Sequence, residues 1–301
     1  MSLIAPITNI SRGSLHDGAG VRTVVYLKGC GLRCRWCHNP ETLSAPPHLI
    51  YLPIKCICCG RCVERCPEHH VVVDGRMQLL REGCRVCGKC VEVCPSGALA
   101  TVGEMRSDEE VFEEIKKDIH YYKSSGGGVT FSGGECLLHP DFVASVAGMC
   151  HREGISVAVE TALFVPWENI ERVLPQVDFF FADLKHPDPD RHAEYTGEDN
   201  RLIVENLRRL SSDATELAVR IPVIPGVNDS EKDFDGFAEI IRSLGDRLAY
   251  VELLKYNNLA ESKYTIIGEK YESFANSPQS DAEMTRLCRY LSDACGVECR
   301  F

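Results

Sequence analysis

Three cysteines in "KGCGLRCRWCHNPET" (residues 28–42), Cys30, Cys34 and Cys37, are spaced C-x3-C-x2-C. Thiolates crowded in this way are soft metal ligands. A structural tetrahedral site takes four ligands and closes, whereas a reactive site keeps one position open. Three cysteines leave two readings: a fourth ligand comes from elsewhere in the chain, or one coordination position is held free for another molecule.

Residues 48–103 hold two similar halves, "CICCGRCVERCPEHHVVVDG" and "CRVCGKCVEVCPSGALATVG", an internal duplication with the look of a small inserted domain. Each half carries C-x2-C-x2-C-x3-C-P: Cys56, Cys59, Cys62, Cys66 and Pro67, then Cys84, Cys87, Cys90, Cys94 and Pro95. This is the bacterial ferredoxin run, in which the fourth cysteine ligates the other cluster. One [4Fe-4S] cluster is therefore expected on Cys56, Cys59, Cys62 and Cys94, and a second on Cys84, Cys87, Cys90 and Cys66. Structural zinc motifs usually show two separated C-x2-C pairs, so the triple spacing favours iron–sulfur. Cys58 is a spare thiol beside Cys59 that could compete with Cys56. His69 and His70 read as a solvated turn.

The composition agrees with a metal reading. The chain has 301 residues and 17 cysteines, most of them in these three clusters; in a secreted protein they would read as disulfides, in a cytosolic one as metal or catalytic sites. No basic segment followed by an apolar run opens the chain, and no window has the roughly 18 apolar residues of a membrane helix. A cytoplasmic, monomeric protein without a membrane partner is expected. The net charge of −11 argues against nucleic acid as a general partner.

The elements that must position these cysteines alternate. Strands are expected at 21–29, 127–135, 155–162, 179–185, 217–226 and 250–256, and helices at about 139–153, 166–174, 201–210 and 231–245. Ser107 with Glu110 predicts a capping box for a helix whose face carries Val111, Ile115, Ile119 and Tyr122, and Ser280 with Glu283 caps a last helix. Continuous apolar strands alternating with helices predict a parallel sheet covered by helices, with six strands rather than the eight of a full barrel. Polar residues follow the strands: Gly133-Gly134-Glu135, Glu160-Thr161, Asp183-Leu184-Lys185, Arg220 and Asn257. Parallel α/β folds build their sites at those C-terminal strand ends, so one shared pocket is expected. Cys288 and Cys295 share an apolar helical face with Met284, Leu287 and Leu291 and read as core, and Cys150 and Cys299 as spare thiols.

C-x3-C-x2-C followed by "HNPET" resembles the opening motif of the radical S-adenosylmethionine (SAM) enzymes, and more narrowly the activating enzymes of glycyl radical enzymes, the pyruvate formate-lyase activase type. The resemblance covers nearly the whole chain. "DGAGVRTVVYLKGC", "GGVTFSGGE", "RIPVIPGVND" and "LLKYNNLAESKY" resemble the family's motifs in order, and the ferredoxin-like insert matches its larger subgroup. The resemblance implies a partial (β/α)6 TIM-like barrel divided between residues 1–47 and 104–301, with the insert at 48–103.

It also implies the chemistry. Cys30, Cys34 and Cys37 would hold a third [4Fe-4S] cluster, and SAM would chelate its open iron. One electron, from a donor such as flavodoxin or ferredoxin, would cleave SAM to methionine and a 5′-deoxyadenosyl radical. That radical would take hydrogen from a backbone glycine of a partner glycyl radical enzyme. Gly133, Gly134 and Glu135 would line SAM's methionine part, Glu135 accepting from its ammonium. Asp183, Leu184 and Lys185 would sit near its carboxylate, and Asp183 with Glu160 would hold a monovalent cation. Trp36 and His38 would face the adenine. Arg220 matches an arginine near SAM, Asn257 stands where the family has a SAM-contacting histidine, and Asp17 matches an aspartate that meets the partner's glycine loop. Ala19 replaces a proline, and Cys136 stands where proline is common, as a neutral replacement. Two other functions compete: a radical SAM peptide maturase with auxiliary clusters, which usually carries its extra cysteines after the barrel, and an iron–sulfur electron carrier with a degenerate barrel, which would have lost Gly-Gly-Glu or Asp-Leu-Lys.

Overall fold

The computed structural model describes residues 2–213, 216–245 and 247–301. Its strands are β1 (Ile4–Ser14), β2 (Arg22–Leu27), β3 (His48–Tyr51), β4 (His70–Val73), β5 (Arg76–Leu79), β6 (Leu99–Val102), β7 (Glu104–Ser107), β8 (Gly128–Gly133), β9 (Ser156–Thr161), β10 (Phe179–Asp183), β11 (Leu217–Val223), β12 (Leu248–Lys255) and β13 (Cys299–Arg300). Among the described residues nine of these form one sheet, in the order β13-β12-β11-β10-β9-β8-β2-β1-β7. Every pairing from β2 to β13 is parallel; β1 pairs antiparallel with β2 and with β7. The six expected strands are the six consecutive parallel strands β2 and β8–β12. Strands such as β8 are buried along their length because helices cover the sheet.

Three strands of the sheet escaped the sequence reading. β1 contains Pro6 and two register irregularities, and proline marks down a strand reading. β7 is a short polar edge, "EMRS", and β13 has only two residues. Neither carries a periodic signal.

The helices are α1 (Arg61–Arg65), α2 (Lys89–Glu92), α3 (Asp108–Lys116), α4 (Ile119–Ser125), α5 (Pro140–Arg152), α6 (Trp167–Val173), α7 (Pro189–Thr196), α8 (Arg201–Asp213), α9 (Glu231–Arg242), α10 (Glu261–Ile267) and α11 (Asp281–Cys295). The Ser107–Glu110 capping box is formed, and Ser280 accepts from the Glu283 amide. The expected helix over 108–122 breaks at Asp118. That carboxylate receives the Arg12 guanidinium and the Thr23 hydroxyl at 3.1 Å, a long-range tie that periodicity does not encode. Ile203, Leu207 and Leu210 of α8, and Met284, Leu287, Cys288 and Leu291 of α11, are buried as the helical spacing predicts. No helix among the described residues is long and apolar enough to cross a membrane.

Residues 48–102 fold on themselves. β3 and β6 pair antiparallel and so bring the two ends of the segment side by side. β4 and β5 form a hairpin turned by Asp74 and Gly75, both at positive φ (50° and 73°), the Asp-Gly turn whose twist suits a hairpin. Leu49, Met77, Cys90 and Leu99 make a separate apolar cluster. The duplication is visible in the backbone: Cys58 and Val86 take φ of 53° and 50°, and Gly60 and Gly88 take 78° and 76°, at matching positions. Both junctions of this segment meet one buried side chain. Lys28 Nζ donates to the carbonyls of Glu41 (2.9 Å) and Ser44 and to His48 Nδ1 (3.1 Å). At the exit, a Cβ on Gly103 would lie 2.5 Å from Lys28 Cδ.

Candidate radical cleft

The cysteine loop leaves the C-terminal end of β2 and is held by backbone bonds on two sides. Gly29 and Cys30 donate to the carbonyls of Thr42 (2.7 Å) and Leu43 (3.2 Å), while Arg33 and Arg35 donate to Thr196 (2.7 Å) and Tyr195 (3.0 Å) at the end of α7. Sequence reasoning missed α7, though its start carries a signal: Asp188 caps it by accepting from the amides of Asp190 and Arg191, and Pro189 follows.

A cleft of about 290 Å³ opens at the ends of the parallel strands. It gathers Cys30, Cys34 and Cys37 with Trp36, His38, Gly133, Gly134, Glu160, Asp183, Lys185 and Asp17. Burial pushes the Cys30 thiol up to about 11 and that of Cys37 up to about 12. Thiols raised in this way are not activated as free nucleophiles. Among the described residues no three His, Cys, Asp or Glu side chains converge as the ligands of a single ion would; the cysteines of a cubane bind different irons and need not.

The polar groups of the cleft are charge-balanced in pairs. Lys185 Nζ donates to Asp183 Oδ2 at 2.8 Å. Burial alone would lower the Lys185 pKa, but Asp183 and the nearby thiols raise it and keep the ammonium charged. Arg220, 4% exposed, donates from Nη1 to Glu160 Oε1 (2.8 Å), from Nε to Glu252 Oε2 (2.7 Å) and from Nη2 to the His16 carbonyl (3.0 Å). Ser132 Oγ completes Glu160 at 2.6 Å. Burial pushes the Glu160 carboxyl up, but Arg220 and Ser132 together outweigh it and hold the group below its ordinary value.

Several expected contacts fall elsewhere. Glu135 is 1% exposed and does not line the cleft. Its carboxylate accepts from Thr161 Oγ1 (2.8 Å) and the amides of Ala162 (2.9 Å) and Leu137 (3.2 Å). It braces the end of β9 from behind. Arg220 also stays out of the lining and acts through Glu160. Leu184 turns into the main core, because strand side chains alternate and its neighbours Asp183 and Lys185 take the cleft face. Asn257 lies beside the cleft, with its side-chain oxygen accepting from the Leu259 amide at 3.2 Å. Cys136 is fully buried against the carbonyls of Phe131 and Glu160, an unreactive thiol.

The Gly-Gly pair has a backbone reason. A Cβ on Gly133, at φ +119°, would lie 2.2 Å from the Leu27 carbonyl oxygen, and one on Gly134 would lie 2.2 Å from that of Gly29. The end of β8 thus runs against the cysteine loop, with Gly134 and Glu135 amides donating to Leu27 (3.0 Å) and Gly29 (2.7 Å). The neighbouring strand β9 runs into a second irregular turn. Leu163 has φ +58°, and Asn206 Nδ2 holds its carbonyl at 2.9 Å and that of Val165 at 2.8 Å.

Cleft residues that the sequence reading missed include Tyr26, Ser132, Ala162, Ile224 and Tyr256. Ser132 and Tyr26 sit at strand ends and so carried a positional signal. Trp36, Ile224, Val227 and Tyr256 form an apolar cluster, with the rings of Tyr195 and Phe274 6.1 and 6.0 Å from Trp36.

The profile of the Radical SAM superfamily matches residues 24–238. Relatives extend the match over almost all of the chain. The (2S)-3-sulfopropanediol dehydratase activating enzyme of Klebsiella oxytoca is 42% identical, over 88% of this chain and 86% of its own length. The choline trimethylamine-lyase activating enzyme of Oleidesulfovibrio alaskensis is 39% identical, over 94% and 93%. The chain belongs to the radical SAM superfamily, among the glycyl-radical-enzyme activating enzymes. The benzylsuccinate synthase activating enzyme of Thauera aromatica, 44% identical over 87% of this chain and 81% of its own, is a further relative of this activating enzyme. The fold is shared more widely: a radical SAM methyltransferase from Sphaerobacter thermophilus superposes with a TM-score of 0.55 at 14% identity, covering 98% of this chain and 76% of its own.

Proposed function

We propose that this radical SAM enzyme activates a partner glycyl radical enzyme by abstracting hydrogen from a backbone glycine. The observation that carries the reading is one cleft holding three thiols, a buried Asp–Lys pair, a neutralised glutamate and an apolar aromatic wall. This donor set suits a three-cysteine [4Fe-4S] cluster together with a zwitterion that also bears a flat base. A [4Fe-4S] cluster bound there would supply the electron for reductive cleavage of SAM.

The chain's own residues do the rest. Cys30, Cys34 and Cys37 would hold that cluster, three ligands where a closed site takes four. Lys185 meets the carboxylate of SAM. Trp36, His38, Ile224 and Tyr256 pack against the adenine and keep water from the reacting carbon. Arg220 keeps Glu160 ionised and, through the His16 carbonyl, steadies the turn that presents Asp17 to the partner's glycine loop. Arg220 is shared between Glu160 and Glu252, so Asp183 with Glu160 is the pair that would hold a monovalent cation. The two cysteine sets of residues 48–102 hold two further clusters, and a small redox protein supplies the electron.

The test is anaerobic reconstitution, reduction with dithionite, addition of SAM and chromatography of 5′-deoxyadenosine. The reading expects product from the native chain and none from Cys34→Ala. Equal product from both would end it.

A further inference from the structure

Four hydroxyls line the cleft, those of Tyr26, Ser132, Thr161 and Tyr256. Three of them are spent within the protein. Ser132 Oγ donates to Glu160 (2.6 Å), Thr161 Oγ1 donates to Glu135 (2.8 Å), and the Tyr256 hydroxyl pairs with that of Tyr271 (2.9 Å). The Tyr26 hydroxyl makes no hydrogen bond among the described residues, and it is not sealed in the core. A hydroxyl that opens on a cleft without a partner is free to meet a ligand.

Tyr26 stands on β2, four residues before Cys30. It pairs in register with Ser132 of β8. Residues in register on neighbouring strands share a face, so Tyr26, Ser132 and the Glu160 that Ser132 holds form one row across the cleft. The turn between β1 and β2 brings Asp17 to the same cleft from the other end of the strand. That turn is fastened. Arg220 Nη2 donates to the His16 carbonyl (3.0 Å) and Thr130 Oγ1 to the Asp17 carbonyl (2.6 Å). Arg22 donates from Nε to Thr130 Oγ1 (2.7 Å) and from Nη1 to the Ala19 carbonyl (3.4 Å). Ser14 Oγ donates to Asp17 Oδ2, and among the described residues Oδ1 is unspent.

The cleft thus keeps one open acceptor, Asp17 Oδ1, and one open donor, the Tyr26 hydroxyl. Burial, then Asp17 and Glu160, push the Tyr26 phenol up to about 12, so it stays neutral and keeps its proton to donate. A glycine has no side chain by which to be held. Its handles are a backbone N–H and a backbone C=O, one donor and one acceptor, and they match the two open groups in kind.

We propose that Tyr26 holds the partner's glycine. Its hydroxyl donates to the glycine carbonyl oxygen while Asp17 accepts from the glycine N–H, and the α-carbon is thereby turned toward the cysteine loop. The inference rests on the proposed function. It makes recognition a property of the backbone at the glycine rather than of the side chains around it.

The test uses reconstituted holoenzyme with SAM bound and unreduced. The probe is a fluorescein-labelled, end-capped peptide Ala-Ala-Gly-Ala-Ala, and its affinity is read by anisotropy. Tyr26→Phe deletes the hydroxyl and keeps the ring. It is expected to weaken the peptide about fivefold, the worth of one hydrogen bond, with SAM affinity by equilibrium dialysis and the denaturant midpoint at native values. N-methylglycine in place of the glycine removes the N–H and should weaken binding to the native enzyme by a similar factor. Tyr26→Phe should weaken that peptide further, because the hydroxyl acts on the carbonyl. After reduction with dithionite, a peptide with α-deuterated glycine should pass deuterium to 5′-deoxyadenosine, and the deuterated fraction should fall in Tyr26→Phe. Equal peptide affinity and equal deuterated fraction in both proteins would overturn the inference. So would a loss of SAM affinity in place of peptide affinity, which would give the hydroxyl to SAM. Failure of the native enzyme to bind the glycine peptide at millimolar concentration would overturn it too. Absence of any 5′-deoxyadenosine from the native enzyme would instead strike the proposed function.

Discussion

The cleft and the inserted segment both gather cysteines, but they surround them with opposite chemistry. In the cleft, three thiols share space with Glu160, Asp183 and Lys185, each charge met by a partner. Around Cys56, Cys59, Cys62 and Cys94 of the insert the lining is apolar apart from Ser96 and the thiols themselves. Charged groups beside an incomplete ligand set suit a site that receives a charged small molecule. Four thiols in an apolar shell suit a closed cluster that only changes oxidation state. The comparison explains why one chain carries both C-x3-C-x2-C and the longer ferredoxin run.

The largest effect that would break this comparison comes from the insert side. Cys59→Ala should remove one cluster, about a third of the bound iron, yet leave most dithionite-driven 5′-deoxyadenosine. Iron assay and chromatography on the same sample decide it; loss of product would mean that the two regions are not separable. On the cleft side, Arg220→Met strands Glu160 and Glu252 without their buried partner. A cost of about 3–5 kcal/mol is expected, read as a lowered denaturant midpoint, with the insert's iron signals kept.

A subtler difference lies in pH. Burial pushes the Glu135 carboxyl up to about 7 against three donors that favour the anion. The folded state then binds more protons than the unfolded state between the ordinary carboxyl value and about 7. Stability therefore falls as pH rises through that window and levels off above it. Glu135→Gln should remove this slope, and chemical denaturation at pH 5, 6, 7 and 8 would show it. The smallest effect is expected from Cys58→Ser. Cys58 occupies the left-handed position that Val86 fills in the other half, so no sulfur is required there and iron content should not change.

Much of the molecule was legible because local patterns and tertiary needs agreed. The parallel strands are continuous apolar runs, and the cysteine spacings state their chemistry directly. What was not legible depended on distant partners. Glu135 follows two glycines at a strand end and looks like a ligand group, but Thr161 and Ala162 claim it. Arg220 matches an arginine near SAM or reads as a plain ion pair, and which carboxylates it meets, Glu160 and Glu252, only the fold reveals. Leu184 was counted with its neighbours although strand alternation sends it inward. Helix α7, which pins the cysteine loop, is short and polar and showed only its cap. The glycine pair was legible as a motif but not in its cause, since only the fold reveals that β8 ends against Gly29.

Lys28 gives the junction between these two regions a mechanical character. Its ammonium spends all three protons on the entry side of the insert, and its stem fills the space beside Gly103 at the exit. A two-stranded connection would otherwise behave as a hinge; fastened in this way it behaves as a weld. Electron tunnelling weakens exponentially with separation, so a swinging insert would spend most of its time too far away to matter. For clusters held as proposed in the insert, a welded junction would keep the gap constant through thermal motion, and any electron's rate across it would be a property of the fold rather than of its fluctuations.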